Sequence, residues 1–168
     1  MSTLSSGVVS FGVSCTETFS ASELPAAETP AVSHNQFNRT LPTLSPTTTP
    51  KINAAVVMKV TLVAGSFTLD LTAAPNRLGG TQDLTGYKIV AFLCNNRAGG
   101  NHAVTIGGAA SNPFEPFGAG VSPVLVADGS KQEYFGVNGA AVGAGAKNLK
   151  FTGTSTEQFE LEMLFAAP

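Results

Sequence analysis

Residues 156–165 read Thr-Glu-Gln-Phe-Glu-Leu-Glu-Met-Leu-Phe and hold the most regular alternation of the 168-residue chain. Every odd position from Phe159 to Phe165 is apolar, and Glu160 and Glu162 stand between them. A period of two is typical of a β-strand that buries one face and exposes the other. The stretch therefore predicts a strand packed on a core, with the two glutamates in solvent or opposite lysines of a neighbouring strand.

Seven earlier segments have a similar length and apolar character, and no window shows the helical spacing i, i+3, i+4, i+7. The eight predicted strands are 56–63, 66–72, 87–94, 102–107, 121–126, 131–137, 148–152 and 156–165. They predict an all-β fold, a two-sheet β-sandwich with the jelly roll as its favoured form. An immunoglobulin-like sandwich is the alternative, which the absence of tryptophan disfavours.

Three short signals indicate how these strands are placed and connected. Residues 87–94 are apolar on both faces, which predicts a central strand. The Ala-Gly pair at 64–65 predicts a tight connection. The Asp-Gly pair at 128–129 tolerates positive φ at both positions and predicts a hairpin between segments 121–126 and 131–137.

The first 50 residues differ in composition from the rest of the chain, since they hold five of the ten prolines and only four charged residues. Proline fixes φ and removes a backbone donor, so residues 1–50 are predicted as an extended Ser/Thr/Pro-rich N-terminal arm. Residues 51–168 are predicted as the sandwich domain. Alternation at residues 9–15 predicts one or two strands in the arm, which need a sheet in the same chain or in a neighbouring subunit.

Apolar residues of the arm and of one loop are candidate contact residues. Residues 112–117 read Asn-Pro-Phe-Glu-Pro-Phe, a rigid apolar excursion that either caps the end of the sandwich or contacts another subunit. The candidate interface residues are Val9, Phe11, Val13, Phe37, Leu41, Leu44, Phe114 and Phe117.

The charge content of the chain is low, at 12% of residues, about half of the usual quarter. A surface with so few charges does not repel neighbours, which favours a subunit packed into an assembly over a poorly soluble monomer. The nine Lys and Arg residues are scattered, so no direct contact with nucleic acid is expected. Neither a signal peptide nor an apolar run of membrane-spanning length is present, so no membrane partner is expected.

Motifs for catalysis or cofactor binding are missing from the sequence. Two histidines, His34 and His102, are too few for the metal sites that jelly rolls can host. No Gly-x-Ser-x-Gly elbow occurs. The glycine-rich run at 139–147 is not followed by the Ser or Thr and the helix of a phosphate loop. We therefore expect no catalytic residue, no metal and no cofactor, and we expect that the protein is not an enzyme.

Three glutamates and two cysteines could in principle have a chemical function, but we expect them to have structural roles. Glu157, Glu160 and Glu162 are not expected to form the paired carboxylates of a glycosidase, because two of them alternate with a core face. Cys15 and Cys94 are predicted as two buried thiols, with one disulfide as the alternative.

Several short segments resemble those of small structural proteins of tailed bacteriophages, and the likeness spans residues 35–165. The matching segments are Asn38-Arg39-Thr40-Leu41, Phe67-Thr68-Leu69-Asp70-Leu71-Thr72, Leu84-Thr85-Gly86, Asp128-Gly129, Ala146-Lys147-Asn148-Leu149 and Thr152-Gly153-Thr154. The proteins that they resemble are jelly-roll proteins that decorate or cement a capsid.

The resemblance implies a structural protein located in the virion, assembled in the host cytoplasm. Its implied partners are the major capsid protein or another virion shell protein, together with copies of itself as a homotrimer. The arm would reach a neighbouring subunit, and no catalytic residue comes with the likeness. The alternatives are a tail, fibre or filament subunit and a β-sandwich module that binds a ligand or glycan.

Overall fold

The computed structural model describes residues 10–11, 15–18, 31–34, 39–40, 47, 49, 51–76, 80–96, 102–127 and 129–168. Across these residues the strands are joined in antiparallel pairs, and helical structure is limited to two 3₁₀ turns, at Leu71–Ala73 and Gly136–Asn138. The predicted all-β class is confirmed.

Fourteen strands run through the described residues. The first four are β1 (Ser10–Phe11), β2 (Cys15–Thr18), β3 (Ala31–His34) and β4 (Arg39–Thr40). The next five are β5 (Ala54–Thr61), β6 (Ser66–Asp70), β7 (Ala74–Pro75), β8 (Thr81–Gln82) and β9 (Lys88–Asn95). The last five are β10 (Val104–Ile106), β11 (Val124–Leu125), β12 (Ser130–Tyr134), β13 (Asn148–Thr152) and β14 (Gln158–Ala166).

Eight of these strands form two four-stranded sheets. One sheet has the order β11-β10-β13-β6 and the other the order β12-β9-β14-β5. Counted along the chain, the first of the eight strands pairs with the last, the second with the seventh, the third with the sixth and the fourth with the fifth. Each of the eight overlaps one of the strands that the sequence predicts.

The inner faces of the two sheets share one hydrophobic core. β14 contributes Phe159, Leu161, Met163 and Phe165, which are fully buried, as the alternation predicts. The Phe151 ring of the other sheet contacts the Phe159 ring with 4.6 Å between centroids. The side chains that hold the two sheets together therefore include those that the period-two pattern of β14 predicted to be buried.

β9 is a central strand, as predicted, and lies between β12 and β14. Its pairing with β14 shifts at one point, because Ala91 lies opposite Leu164 whereas Ile89 lies opposite Phe165. Val90 is thus an extra residue of the kind that makes a β-bulge. Its carbonyl accepts a hydrogen bond from the amide of Phe135 at 2.9 Å, so the residue just after β12 is attached to the bulge.

The connection between β5 and β6 is the predicted tight turn. Ala64 and Gly65 have φ values of 50° and 76°, and Val63 and Ser66 exchange two main-chain hydrogen bonds across them. Two consecutive positive φ values are the geometry of a type I′ hairpin turn.

The predicted hairpin at 128–129 is wrong, because β11 pairs with β10 whereas β12 pairs with β9 in the other sheet. A turn does form, since the Gly129 amide donates to the Val126 carbonyl at 2.9 Å. The Gly129 carbonyl, however, accepts from the Asn96 amide at 2.8 Å, which directs the chain onto β9. The turn residues therefore set the local bend, and contacts of β9 decide which sheet the next strand joins.

The chain divides into two compact units, one of Val8–Thr43 and one of Met1–Gly7 with Leu44–Pro168. In the first unit β1 pairs with β4 and β2 pairs with β3, both antiparallel. The sequence left open which sheet these N-terminal strands would join, and the structure pairs them with each other.

Candidate interaction surface

Strands β11 and β12 follow each other in the sequence, and each is an edge strand of a different four-stranded sheet. Each pairs with one strand only among the described residues, β11 with β10 and β12 with β9. A strand with one partner presents a row of backbone N–H and C=O groups along its other side. These two open edges are the natural places to look for contacts with other molecules.

The β11 edge carries exposed apolar side chains and no charge. Val121, Val124 and Val126 are 48%, 60% and 67% exposed, and we call these three residues the valine patch. Leu125 between them is buried in the core. Because residues 121–126 read Val-Ser-Pro-Val-Leu-Val, no side chain of this segment carries a charge.

The β12 edge is charged. Lys131 Nζ donates to Glu133 Oε2 at 2.7 Å, and both side chains are about one-third exposed or more. The same ammonium group lies 5.4 Å from the centre of the Phe117 ring, a cation–π distance. This edge is therefore well hydrated and presents both signs of charge.

An open depression of about 440 Å³ separates the loop before β11 from β12. Its lining residues are Pro116, Phe117, Gly118, Val121 and Pro123 from the segment before β11, and Lys131, Glu133 and Phe135 from β12 and the residue after it. The Phe117 ring lies 6.0 Å from the Phe135 ring. The lining is thus aromatic and apolar with one ion pair at its margin.

The structure describes two of the eight predicted interface residues in detail. Phe114 is 1% exposed, and its side chain belongs to the core that the two sheets share. Phe117 is half-buried and packs edge-on against Phe92 at 5.1 Å. Phe11 lies on β1, without further description of its side chain. The other predicted interface residues lie outside the described residues: Val9, Val13, Phe37, Leu41 and Leu44.

A buried polar cluster lies where β9 ends and β14 begins. Asn96 is fully buried and donates through Nδ2 to the carbonyls of His102 at 2.8 Å and Val126 at 3.1 Å. Glu157 is 5% exposed, and its Oε2 lies 3.2 Å from Nδ1 of the exposed His102 ring. The cluster therefore fixes the last residue of the valine patch to the end of β9.

Sequence reasoning missed this cluster, although the signal was present. Glu157 continues the odd-numbered series that β14 turns into the core, and Asn96 continues the inward series of Phe92 and Cys94. Extending the period of two by one step in each strand would have placed both polar side chains inside. Glu160, by contrast, is exposed and lies opposite Lys59, as predicted.

A second polar cluster attaches the glycine-rich run to β6. Asp70 Oδ1 accepts from Thr72 at 2.9 Å (amide) and 2.6 Å (hydroxyl), and Lys147 Nζ donates to Asp70 Oδ2 at 2.9 Å. The hydrogen bonds from Thr72, then those from Lys147, lower the pKa of Asp70 to about 2. Lys147 is thereby engaged in a structural pair at the end of a turn that Gly143 and Ala146 close with two main-chain bonds.

Cys94 is a buried free thiol, as predicted, and burial raises its pKa to about 12. The side chain of Cys15 lies outside the described residues. Among the described residues no three His, Cys, Asp or Glu side chains come together as metal ligands. Within the same part of the chain, none of the helical segments is long and apolar enough to span a membrane.

No protein-family model, no curated protein and no solved structure matches this chain. The function therefore has to be argued from the geometry of the two edges and from the composition of the chain.

Proposed function

We propose that the protein is a structural component of a virion, a capsid decoration or cement protein that acts by contact and is not an enzyme. It binds the major capsid protein or another virion shell protein, and copies of itself as a homotrimer. The observation that carries the proposal is the valine patch, which leaves an uncharged, apolar sheet edge in solvent. Exposed apolar surface of this kind is typical of sites that other proteins cover.

The fold within this proposal is a jelly roll with an N-terminal arm. A jelly roll is an eight-stranded double sheet of two Greek keys, which can be described as one long hairpin rolled up on itself. Rolling up such a hairpin pairs the first strand with the last and the fourth with the fifth, and that is the order of strand pairs seen here. Viral capsid domains are among the proteins that use this architecture.

Low charge supports the same conclusion. With nine basic and eleven acidic residues in 168, the chain has little electrostatic repulsion to keep copies apart. A protein that is stored as a free monomer gains solubility from charge, whereas a subunit held in a shell has no such need. Low charge therefore supports the proposed location in the virion, with assembly in the host cytoplasm.

Sedimentation of the native protein from its source, with mass spectrometry of the fractions, tests the proposal. We expect recovery in a large particle together with a more abundant shell protein. We also expect that deleting residues 1–50 leaves the sandwich folded and abolishes incorporation into the particle. Recovery as a free species of one to a few chains would overturn the proposal.

The depression of about 440 Å³ favours one alternative, a sandwich that binds a small ligand or glycan. Its volume and its two phenylalanine rings are within the range of ligand sites. Glycan sites, however, favour Trp and Tyr, whose polar groups orient a sugar, and this lining has neither. A glycan array with strong hits that Phe117→Ala removes would favour the alternative over the capsid role.

A further inference from the structure

We propose that the open edge of β11 pairs with the same edge of a second copy of this chain, across a two-fold axis at Val124. This inference rests on the proposed function, which requires that copies of the chain assemble. It adds which strand edge makes the contact between two copies. It concerns a two-fold contact only, so the predicted homotrimer would require a separate surface.

Within the described residues, the main-chain groups of Val124 are available for this contact. The Pro123 carbonyl accepts from the Ile106 amide at 2.9 Å, and Leu125 lies opposite Val104. In an antiparallel ladder alternate residues turn both main-chain groups towards the partner strand. Val124, between two residues that face β10, therefore directs its N–H and C=O towards the open edge.

A two-fold axis satisfies both groups at once. The Val124 amide of each copy would donate to the Val124 carbonyl of the other, which is the hydrogen-bonded pair of an antiparallel ladder. An isologous contact of this kind is closed and cannot extend into a fibre. It would join two four-stranded sheets into one of eight strands.

The side chains around Val124 are compatible with a copy of themselves. In a two-fold contact each residue meets itself or a close neighbour, so any charged side chain on the edge has to be desolvated in both copies before the edges can pair. Residues 121–126 carry no charge, whereas the β12 edge carries Lys131 and Glu133. Pairing would also remove Val124 and Val126 from water.

The two remaining sheet edges are occupied or charged. On the β5 edge the Gln82 side chain donates to the Ala55 carbonyl at 2.9 Å, so a main-chain acceptor is already used. On the β6 edge the last residue, Asp70, carries a charge and forms an ion pair at 2.9 Å with Lys147, which precedes the neighbouring strand β13. Within the described residues, the β11 edge combines open main-chain groups with exposed, uncharged apolar side chains.

Association of the purified full-length protein tests the contact without any particle. Sedimentation equilibrium should show species with an even number of chains for the unmodified protein, a dimer or, together with the proposed homotrimer, a hexamer. Val124→Lys should weaken the two-fold association at least about tenfold, because two lysines would face each other. Val63→Lys is the matched control, since Val63 is 76% exposed in the turn after β5 and the charge change is the same. A monomer at all concentrations up to about 1 mM, a weak-binding limit, or equal dimerisation of Val124→Lys, overturns the inference.

Cross-linking tests the position of the axis. Residues in a hydrogen-bonded pair have Cα atoms about 5.5 Å apart, within the disulfide range of about 4.4–6.8 Å. In a Cys15→Ser background, Val124→Cys should therefore form an interchain disulfide on mild oxidation. Val126→Cys should not, because two steps from the axis the equivalent Cα atoms are about 13 Å or more apart. Cross-linking at Val126→Cys and not at Val124→Cys overturns the proposed register.

The two proposals fail in different experiments. If Val124→Lys abolishes dimers but the native protein is not found in a particle, the edge contact stands and the virion role falls. If the native protein is found in a particle but Val124→Lys and Val124→Cys behave as unmodified chains, the virion role stands and this contact falls.

Discussion

The edges formed by β11 and β12 are separated by only four residues, 126–129, and differ in nearly every chemical respect. The β11 edge is short, uncharged and bordered by exposed valines. The β12 edge is longer, carries the Lys131–Glu133 ion pair and is followed by a 3₁₀ turn attached to β9. One sheet therefore has an apolar edge strand, and the other has a charged one.

The difference shows how side chains on an edge strand can prevent or allow pairing with a strand of another molecule. Charged side chains on an edge strand must be desolvated before another strand can pair, so they discourage pairing. The valine patch has no such protection other than the shortness of β11 and Pro123, which limit the contact to a few residues. This difference is the reason why the proposed contact is at the β11 edge and not at the β12 edge.

The largest expected effect comes from the segment that follows β12. Gly139 packs so closely on β9 that a Cβ atom there would overlap the carbonyl oxygen of Ile89. The Ile89 amide also donates to the Ala140 carbonyl at 3.0 Å, so the segment cannot move away without losing that bond. Gly139→Ala should lower the free energy of unfolding by at least about 3 kcal/mol, measured by urea unfolding.

Gly143→Ala is the control for this change, because nothing lies within 4 Å of a Cβ at that position of the same run. It should change stability by less than about 0.5 kcal/mol. An unfolding midpoint of Gly139→Ala equal to that of Gly143→Ala would contradict the attachment of this segment to β9.

The strands themselves were predictable because the apolar pattern of each strand reflects which of its faces is buried. The alternation from Phe159 to Phe165 identified the buried face of β14, and two-sided apolar character identified β9 as central. Both signals arise from contact of neighbouring side chains with the core, which a local pattern carries.

Sheet membership and the polar clusters were not predictable in the same way. The Asp-Gly turn at 128–129 has the residues of a hairpin, yet the Asn96–Gly129 bond moves the chain to the other sheet. That bond joins positions 33 residues apart, so no local pattern contains it. The openness of the β11 edge likewise depends on the final strand order, which is why the valine patch was not among the predicted interface residues.

An intermediate effect is expected at Asn96, which connects the valine patch to β9. Asn96→Ala removes the side-chain donor to the His102 carbonyl and one of two donors to the Val126 carbonyl. Losing these two hydrogen bonds, at about 0.5–1.5 kcal/mol each, should cost about 1–3 kcal/mol in the free energy of unfolding. Hydrogen exchange should also speed up at the Gly129 amide, because the turn after β11 is released.

Asn95→Ala provides the comparison, because the side-chain oxygens of Asn95 and Asn96 are both buried without a hydrogen-bond partner, whereas the side-chain donor bonds to His102 and Val126 belong to Asn96. Removing the Asn95 side chain should change stability by less than about 0.5 kcal/mol or increase it slightly. If Asn95→Ala proves the more damaging change, the β11 edge is not fixed through Asn96, and its position relative to β9 has another cause.

The smallest effect is a pH dependence at the opposite edge of the β11 sheet, where the side chains of Asp70, Thr72 and Lys147 meet. The pKa of Asp70 is lowered from 3.8 to about 2 in the folded chain, first by the Thr72 hydroxyl and then by Lys147. A lowered folded-state pKa adds stability above about pH 4, and this stability is lost as the pH falls towards 2.

Because the Asp70 side chain is 40% exposed, solvent screening should keep this contribution below about 1 kcal/mol. Urea midpoints measured from pH 6 to pH 2 should therefore fall less steeply for Asp70→Asn than for the unmodified chain, and the two curves should converge at low pH. Asp83 also has a lowered pKa, but it is present in both proteins and cancels in the difference. Parallel curves would mean that the hydrogen bonds from Thr72 and Lys147 to Asp70 do not stabilise the folded chain.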